Sequence, residues 1–196
     1  MLDTMPVLRG AHATLVPMDP AEHAAGLFAA TAPDTFRFFL SGPKSWDLGE
    51  FRDYLSAHAA SPKTRAFVAM SASGQIVGSS SYMDIDPPNR CVEIGSTWYS
   101  PSVRGTAINP QCKLLMLAHA FEVLGCVRVT LKCDARNEHS QRAISKLGAV
   151  REGTLRRHRI LSDGFVRDTV YFSVVQEEWG STRARLCARL GLDPVH

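Results

Sequence analysis

The sequence predicts a mixed α/β fold in which a mostly antiparallel sheet carries helices on both faces. Short runs of strand-type residues recur between Ala13 and Val175, with turn residues between them. In the second half of the chain, two segments with helical spacing alternate with strands. A series of antiparallel strands, followed by a strand–helix–strand–helix unit and a hairpin, is typical of such a mixed sheet.

The first third of the chain is predicted to hold one strand, two helices and an aromatic segment. Ala13–Val16 is apolar enough for a short strand, and Pro20–Ala30 is rich in Ala and therefore helical. The segment Phe36–Phe39 is aromatic and ends in a Ser-Gly-Pro turn. Asp47 is a suitable N-cap for a helix through His58, whose Phe and Leu residues share one face.

Three strands are predicted next, joined by short turns. Arg65–Met70 and Ile76–Met83 form a hairpin about the Ser73-Gly74 turn. A Pro-Pro-Asn turn then leads into the strand Cys91–Tyr99. Because these strands follow one another through tight turns, we expect them to be antiparallel neighbours.

A basic, Gly-containing turn, Ser100–Pro110, connects that strand to a helix predicted over Gln111–Leu124. Asn109 is a favoured N-cap, and Pro110 suits the first helical position, where its missing N–H costs nothing. Apolar residues recur at core spacing along the helix, which Gly125 ends.

The start of this helix has the composition of an anion site. No acid occurs between Glu93 and Glu122, although acids in a first turn would favour the helix dipole, and the turn contains Arg104. Small residues, a basic side chain and an acid-free helix start together indicate phosphate binding. The alternative is a plain strand-to-helix connection. The spacing matches neither a P-loop nor the dinucleotide-binding fingerprint.

The last third is predicted to be strand, helix, hairpin and helix. Val127–Cys133 alternates as a strand does, and Asn137 caps a short helix that stops at Gly148. Arg151–Leu161 and Phe165–Val175 then pair about an Asp-Gly turn. An amphipathic helix over about 177–190 follows, and we expect it to be an appendage of a single domain that spans residues 1–196.

Composition limits the class of protein. The 22 basic and 19 acidic residues are too evenly balanced to indicate nucleic-acid binding. The first residues lack the pattern of a signal peptide, and no apolar run is long enough to cross a bilayer, so we expect neither secretion nor membrane insertion. The five cysteines are scattered without metal-ligand spacing, which indicates free thiols in the cytoplasm and no metal site.

Three segments in order resemble the GCN5-related N-acetyltransferases (GNAT), and within them the RimJ/RimL-like group. Arg104–Asn109 is similar to the family's loop for the acetyl-CoA pyrophosphate. Asp134–Ala149 contains an Asn-x-x-Ser helix that ends in Leu-Gly-Ala, and Glu152–Arg156 with a following Asp-Gly turn is similar to the group's terminal hairpin. The resemblance extends over nearly the whole chain. It implies a sheet of about seven strands with a splayed central parallel pair.

The resemblance implies an acetyl-CoA-dependent N-acetyltransferase that acts on a protein N-terminus or a small-molecule amine by direct attack in a ternary complex. The alternative is a CoA-binding regulatory or interaction domain with little turnover, because a fold alone does not decide function. Acetyl-CoA and an amine are the implied partners, with no metal, nucleic acid or membrane. Whether the protein forms a homodimer is left open.

The resemblance also implies roles for particular residues. Glu93 is the candidate general base, with an ordinary strand Glu or an ion pair as the alternative. Ser140 is the candidate acid for the leaving thiolate, and the alternative is a serine that bonds the helix cap. The residues implied to bind acetyl-CoA are Trp98, Tyr99, Arg104, Gly105, Thr106, Ala107, Ile108, Asn109 and Asn137. At the position of Ala107 the family usually has Gly.

Two further segments have two interpretations each. The basic strand Arg151–Arg159 is either a solvated sheet face or a surface for an acidic acceptor or for the cofactor's 3′-phosphate. The aromatic residues Phe36, Phe38, Phe39 and Trp46 either line the acceptor site, as their segment does in the family, or belong to the core.

Overall fold

The computed structural model describes residues 5–161 and 163–193. In that part the chain forms eight strands and five α-helices. The strands are β1 Leu8–Arg9, β2 Ala13–Pro17, β3 Arg65–Ser71, β4 Ile76–Asp86, β5 Cys91–Tyr99, β6 Arg128–Asp134, β7 Val150–Ile160 and β8 Val166–Val175. The helices are α1 Pro20–Ala29, α2 Leu48–Ala60, α3 Ile108–Ala118, α4 Glu138–Leu147 and α5 Trp179–Leu190.

All eight strands belong to one sheet in the order β1-β2-β3-β4-β5-β6-β8-β7. Neighbouring strands are antiparallel except β5 and β6, which run parallel at the centre. The mixed fold and its parallel pair are therefore confirmed. The strand number differs from the expected seven because Leu8–Arg9 also pairs with β2, and a two-residue strand leaves no alternating pattern in a sequence.

The sheet has a helical layer on each face. Along β3, Phe67 and Ala69 belong to one core cluster whereas Val68 belongs to another, because successive strand residues point to opposite faces. The larger cluster includes the buried side chains of α3, α4 and α5, and the smaller one those of α1 and α2. We call these two sides the α3 face and the α1 face.

The helix α5 contributes to the larger core directly. Trp179, Leu186 and Leu190 are buried in the same cluster as the apolar residues of α3. The Trp179 indole Nε1 donates to Glu122 at 2.7 Å, and its ring stacks on Phe121 with centroids 5.5 Å apart. No helix in the described part of the chain is long and apolar enough to cross a membrane.

Two predicted features of α3 are wrong. The helix begins at Ile108 after Ala107, which provides no side-chain cap, so Asn109 lies inside the first turn and is not the N-cap. The Thr106 hydroxyl lies 3.4 Å from the Ile108 amide and is the nearest side-chain acceptor at this helix start. At the other end, α3 stops at Ala118, and a π-helical turn over His119–Val123 completes the segment predicted as helix.

Two β-bulges shape the strands around the centre of the sheet. In β5, Ser96 has a positive φ of 46°, and the pairing with β4 shifts register between Ser79 and Ser81. In β7, Arg157 has a positive φ of 51°, and the pairing with β8 shifts between Leu155 and Arg159. Bulges of this kind re-aim side chains and are common beside active sites.

Candidate active site

The central parallel strands separate partway along their length. Residues of β5 and β6 pair only at Cys91–Arg128, Val92–Val129 and Glu93–Thr130. Beyond Glu93, β5 continues to Tyr99 and β6 to Asp134 without pairing to each other. The two strands therefore form a fork, with Glu93 at its base, and the fork is the splayed pair that the family resemblance implies.

The turn before α3 offers backbone N–H groups with no partner. Among the described residues, the amides of Gly105, Ala107 and Asn109 make no hydrogen bond. Gly105 has a φ of 78°, a conformation that glycine adopts without strain. Free amides at a helix start attract anions, and no acid lies in the first turn of α3. The geometry thus fits the predicted phosphate cradle.

Ala107 is compatible with this loop despite its methyl group. Its φ of −69° and ψ of −12° are those of a right-handed helix, so the position does not require glycine. The side chain is partly buried and packs against the larger core, as Ile108 does more fully. Of the other turn residues, Arg104 is exposed, and its Nε donates to the Tyr99 carbonyl at 3.4 Å.

The side chains of Trp98 and Tyr99 are structural parts of the fork. Trp98 is buried in the α1-face cluster, where its ring meets that of Phe36 with centroids 6.4 Å apart. The Tyr99 hydroxyl lies against the Cys112 thiol, and burial raises the pKa of Tyr99 well above its ordinary value. Any contact of these two residues with a cofactor would therefore come from their backbone.

Glu93 is buried and paired. Its side chain points to the α1 face, since Val92 and Ile94 on either side belong to the opposite cluster. Lys132 Nζ lies 2.5 Å from Glu93 Oε2 and 3.0 Å from Asp84 Oδ2. The predicted alternative of an ion pair is thus present, whereas the alternative of an exposed sheet-surface Glu is not, because only 6% of Glu93 is exposed.

The environment of Glu93 suits a proton acceptor near neutral pH. Burial raises its pKa to about 7, although the charge and hydrogen bond of Lys132 act in the opposite direction. The nearby Asp84 adds to the upward shift. A general base is most effective when its pKa lies near the working pH.

A cleft of about 170 Å³ opens beside this carboxylate. Its walls come from β4, β5, β6 and β8: Asp84, Asp86, Cys91, Val92, Glu93, Thr130, Lys132 and Tyr171. Gly95 leaves room for the Glu93 side chain, because a Cβ at Gly95 would lie only 2.8 Å from Glu93 Oε1. The absence of a side chain at Gly95 therefore allows the Glu93 carboxylate to occupy this position.

The predicted cap of α4 is confirmed and places Ser140. Asn137 Oδ1 accepts from the Ser140 amide at 3.0 Å, and Gly148 ends the helix with a φ of 104°. The Ser140 side chain is half-buried and lies beside the Cys133 thiol. Burial raises the pKa of Cys133, and the nearby Ser140 hydroxyl offsets part of the rise.

The structure brings the two predicted catalytic residues to opposite sides of β6. Glu93 contacts Lys132 on the α1 face, whereas Ser140 contacts Cys133 on the α3 face. Lys132 and Cys133 are consecutive, so the two groups lie near the same level of the strand. At this level β5 and β6 are no longer paired with each other.

A buried lysine near the bulge of β5 was not predicted. Lys113 of α3 is 5% exposed, and its Nζ donates to Thr97 Oγ1 at 2.7 Å and to Ser80 Oγ at 3.2 Å. Burial lowers the pKa of Lys113 to about 8. The sequence does carry a signal, because no acid lies one helical turn before or after Lys113.

Lys132 and Asp84 were also missed as neighbours of Glu93. Lys132 stands at an alternating position in β6 and has no distinctive motif around it. Asp84 comes close because β4 changes register between Met83 and Asp86, where Asp84 takes a φ of 46°. Such an irregularity follows from sheet packing and leaves no pattern in the sequence.

The aromatic segment packs largely against the core, which is one of its two predicted interpretations, whereas its role in lining the acceptor site stays a prediction. Phe36, Phe39 and Trp46 pack against the α1-face core, and Phe36 and Trp46 also line a cavity of about 210 Å³. Phe38 differs, because its ring lies beneath two guanidinium groups, Arg37 at 5.3 Å and Arg136 at 5.5 Å.

The basic strand and the cysteines complete the predicted groups. The arginines of β7 are exposed, whereas His158 is partly buried, its ring centroid 5.9 Å from that of Tyr171. All five cysteines are free thiols, four of them buried. Within residues 5–161 and 163–193, no group of three or more His, Cys, Asp or Glu side chains is placed to hold a metal ion.

Comparison with known proteins gives a consistent result. A family model described as an acetyltransferase (GNAT) domain matches residues 12–150. The protein YdaF of Bacillus subtilis (strain 168), named as a candidate ribosomal N-acetyltransferase, is 30% identical over 106 residues. That match covers 54% of this chain and 57% of YdaF, so the chain spans little more than half of that relative.

Solved structures resemble the whole chain. A candidate acetyltransferase from T. thermophilus is 36% identical, with a TM-score of 0.91 over 97% of this chain and 100% of that one. A GCN5-related N-acetyltransferase from Brucella melitensis is 30% identical, with a TM-score of 0.86 over 93% of this chain and 84% of that one.

Proposed function

The chain belongs to the GNAT acetyltransferase family, and we propose that it transfers an acetyl group from acetyl-CoA to a primary amine. The amine is either a protein N-terminus, as in the RimJ/RimL-like group, or a small molecule, and it attacks directly in a ternary complex. The observation that carries the proposal is the buried Glu93 carboxylate at the base of the β5–β6 fork. A cytoplasmic location fits this activity.

The residues around the fork fit acetyl-CoA. The unpartnered amides of Gly105, Ala107 and Asn109 would hold the diphosphate, and the exposed Arg104 would add charge. Asn137 would contact the pantetheine arm while its Oδ1 caps α4. When bound, acetyl-CoA supplies the acetyl group as a thioester and leaves as a thiol.

Glu93 would take the proton of the acceptor amine, directly or through a water. Its pKa of about 7 keeps a useful fraction ionised at neutral pH, and Lys132 holds the carboxylate in place at 2.5 Å. Asp84 shares the same lysine and adds negative charge on the side from which a cationic amine would approach. General-base catalysis of this kind contributes roughly 10²- to 10⁴-fold to the rate.

Two groups would assist the thioester end. A backbone N–H near Thr97–Tyr99, beside the β5 bulge, would donate to the thioester oxygen and stabilise the negative charge that develops there. Ser140 would donate a proton to the leaving thiolate from the α3 face. Its side chain already lies beside a sulfur atom in the structure, that of Cys133.

Acetyl transfer can be tested by mixing the protein with acetyl-CoA and a panel of primary amines while free thiol and acetylated amine are measured together. We expect thiol release that equals the acetylated amine. Tight CoA binding without acetylation of any amine would contradict the proposal and favour the regulatory or interaction domain instead.

The cofactor placement can be tested with the double variant Arg104→Glu, Gly105→Asp. It sets negative charge against the diphosphate, so we expect CoA binding to weaken by roughly 100-fold or more in calorimetry. Arg52→Glu, a charge reversal at an exposed site on α2, is the matched control and should bind CoA as the wild type does. Unchanged CoA affinity in a folded double variant would disprove the placement.

A further inference from the structure

A row of polar side chains on β8 faces the same side of the sheet as Glu93. Arg167, Thr169 and Tyr171 alternate along β8, and the residues between them, Val170 and Phe172, are buried in the core of the α3 face. The row therefore lies on the α1 face. Tyr171 lines the cleft beside Glu93, so the row extends from that cleft along the sheet.

Two atoms of this row are buried without a hydrogen bond. Arg167 is 7% exposed and Thr169 is 2% exposed. Neither Arg167 Nε nor Thr169 Oγ1 hydrogen-bonds to any residue of the described ranges. Buried polar atoms nearly always have partners, so these two unpaired donors on one face of the strand call for acceptor atoms that the described residues do not supply.

The positive charge of Arg167 is only partly balanced. Its Nη1 donates to the Phe38 carbonyl at 3.1 Å, and its Nε lies 3.9 Å from Asp134 Oδ2. Asp134 is engaged more closely by Arg136, at 2.8 and 3.0 Å. Arg167 therefore retains charge for an anion, and a guanidinium matches a carboxylate in shape.

The bulge of β7 adds a third polar group. The Asp168 carboxylate accepts from the Arg157 amide at 2.6 Å and holds the bulge in place. His158 follows, partly buried, with its ring near Tyr171 and its Nδ1 buried without a hydrogen bond to the described residues. In the tautomer protonated at Nδ1, His158 is a further donor.

The α1 face thus has charges of opposite sign at its two ends. Asp84, Asp86 and Glu93 lie on β4 and β5, whereas the Arg167 charge lies on β8 beside the uncharged His158 donor of β7, with Lys132 between them. Tyr171 connects the two ends, since it lines the cleft beside Glu93 and its ring centroid lies 5.9 Å from that of His158. A ligand with an ammonium and a carboxylate matches this arrangement.

We propose that Arg167, Thr169 and His158 form a subsite for a carboxylate of the acceptor, which is therefore a primary amine that carries a carboxylate. The assignment of the amine as acceptor rests on the proposed acetyl transfer. The carboxylate subsite itself does not, because it predicts binding whether or not turnover follows. Free amino acids and peptides with an acidic first residue share this chemistry, and polyamines lack it.

The test compares matched ligands by calorimetry with CoA present. One arm uses amino acids with one to five carbons between amine and carboxylate, a second uses alkylamines of the same lengths, and a third uses short peptides with acidic or neutral first residues. We expect at least about 10-fold tighter binding when the carboxylate is present. The first and third arms distinguish the two sources of the carboxylate.

Single substitutions test which residues cause the tighter binding of ligands that carry a carboxylate. Arg167→Met should remove most of the carboxylate preference, and Thr169→Val, which keeps the shape of the side chain, should reduce it by about 3- to 10-fold. Arg52→Met on α2 should leave it unchanged. A melting curve is measured for each variant. If Arg167→Met does not fold, the carboxylate preference of Thr169→Val tests the subsite instead.

Equal binding of amino acids and alkylamines by the wild type would overturn the subsite. So would a full carboxylate preference in folded Thr169→Val. Carboxylate-dependent binding without acetylation of any amine would support the subsite and contradict only the proposed acetyl transfer.

Discussion

Glu93 and Lys113 show how burial changes the chemistry of single residues. The Glu93 carboxylate keeps a partner, Lys132, and burial still raises its pKa to about 7. Among the described residues Lys113 Nζ has two hydroxyl partners and no carboxylate partner, and burial lowers its pKa to about 8. Both groups therefore change charge near physiological pH, whereas exposed residues of the same types do not.

Gly95 tests whether the position of the Glu93 carboxylate matters. Because a Cβ at Gly95 would lie 2.8 Å from Glu93 Oε1 and 2.9 Å from Met83 Sδ, Gly95→Ala should displace the carboxylate. We expect kcat to fall by about 10-fold or more, with little change in the melting temperature. Gly153→Ala, where a Cβ would meet nothing within 4 Å, is the matched control. Equal rates in the two variants would exclude a positional role for Gly95.

Lys113 should make stability depend on alkaline pH. Its pKa of about 8 in the folded state lies below its ordinary value of 10.5, so between these values the unfolded chain binds more protons. The free energy of unfolding should therefore rise by roughly 3 kcal/mol from pH 8 to 10.5.

Lys113→Met isolates this effect. The Thr97 and Ser80 hydroxyls lie 2.7 Å apart and remain paired without the lysine, so the variant should fold. Urea unfolding at several pH values should show the wild type gaining stability relative to Lys113→Met as pH rises above 8. If the free energies of unfolding of the wild type and Lys113→Met change in parallel with pH, the Lys113 ammonium is not buried.

At the scale of secondary-structure elements, irregularities position the site. The β5 bulge at Ser96 lies within the fork, and the β7 bulge at Arg157 brings His158 toward Tyr171. The short helix α4 is fixed at its start by Asn137 and at its end by Gly148. The two bulges interrupt regular strands at points where a group faces the fork or the α1 face.

Asn137 has two proposed roles, as cap and as ligand, that two variants separate. Asn137→Asp retains the oxygen that accepts from the Ser140 amide but loses the amide donor, whereas Asn137→Ala loses both. We expect Asn137→Ala to lose about 1 kcal/mol of stability and Asn137→Asp to lose little. If the amide contacts pantetheine, both variants should bind CoA more weakly. If CoA affinity falls in the less stable Asn137→Ala but not in Asn137→Asp, Asn137 acts only as the helix cap.

At the scale of the whole molecule, the two halves of the candidate site lie on opposite faces of the sheet. The turn before α3 and the helix α4 approach the fork from the α3 face, and Glu93 with its cleft lies on the α1 face. We infer that acetyl-CoA enters from the first side and the amine from the second, so that they meet within the fork. In such an arrangement the proposed direct transfer would need no residue to carry the acetyl group.

Local patterns made much of this architecture predictable. The bounds of β5 and the cap of α4 were correct because alternation, Asn caps and Gly stops act within a few residues. The start of α3 was predicted wrongly because Asn109 and Pro110 matched a cap pattern that the fold does not use. The roles of Lys113 and Arg167 could not be predicted, since their burial depends on neighbours distant in the sequence.

The pH dependence of kcat/KM in the wild type and in Glu93→Gln tests most directly whether Glu93 is the base of an acetyl transfer. Because a base must be ionised, the wild-type value should rise about 10-fold per pH unit below 7 and level off above it, apart from the ionisation of the acceptor itself. Glu93→Gln should lose the inflection near 7 and about 10² in kcat, with unchanged CoA affinity. A folded Glu93→Gln variant that keeps the wild-type rate and inflection would contradict the assignment.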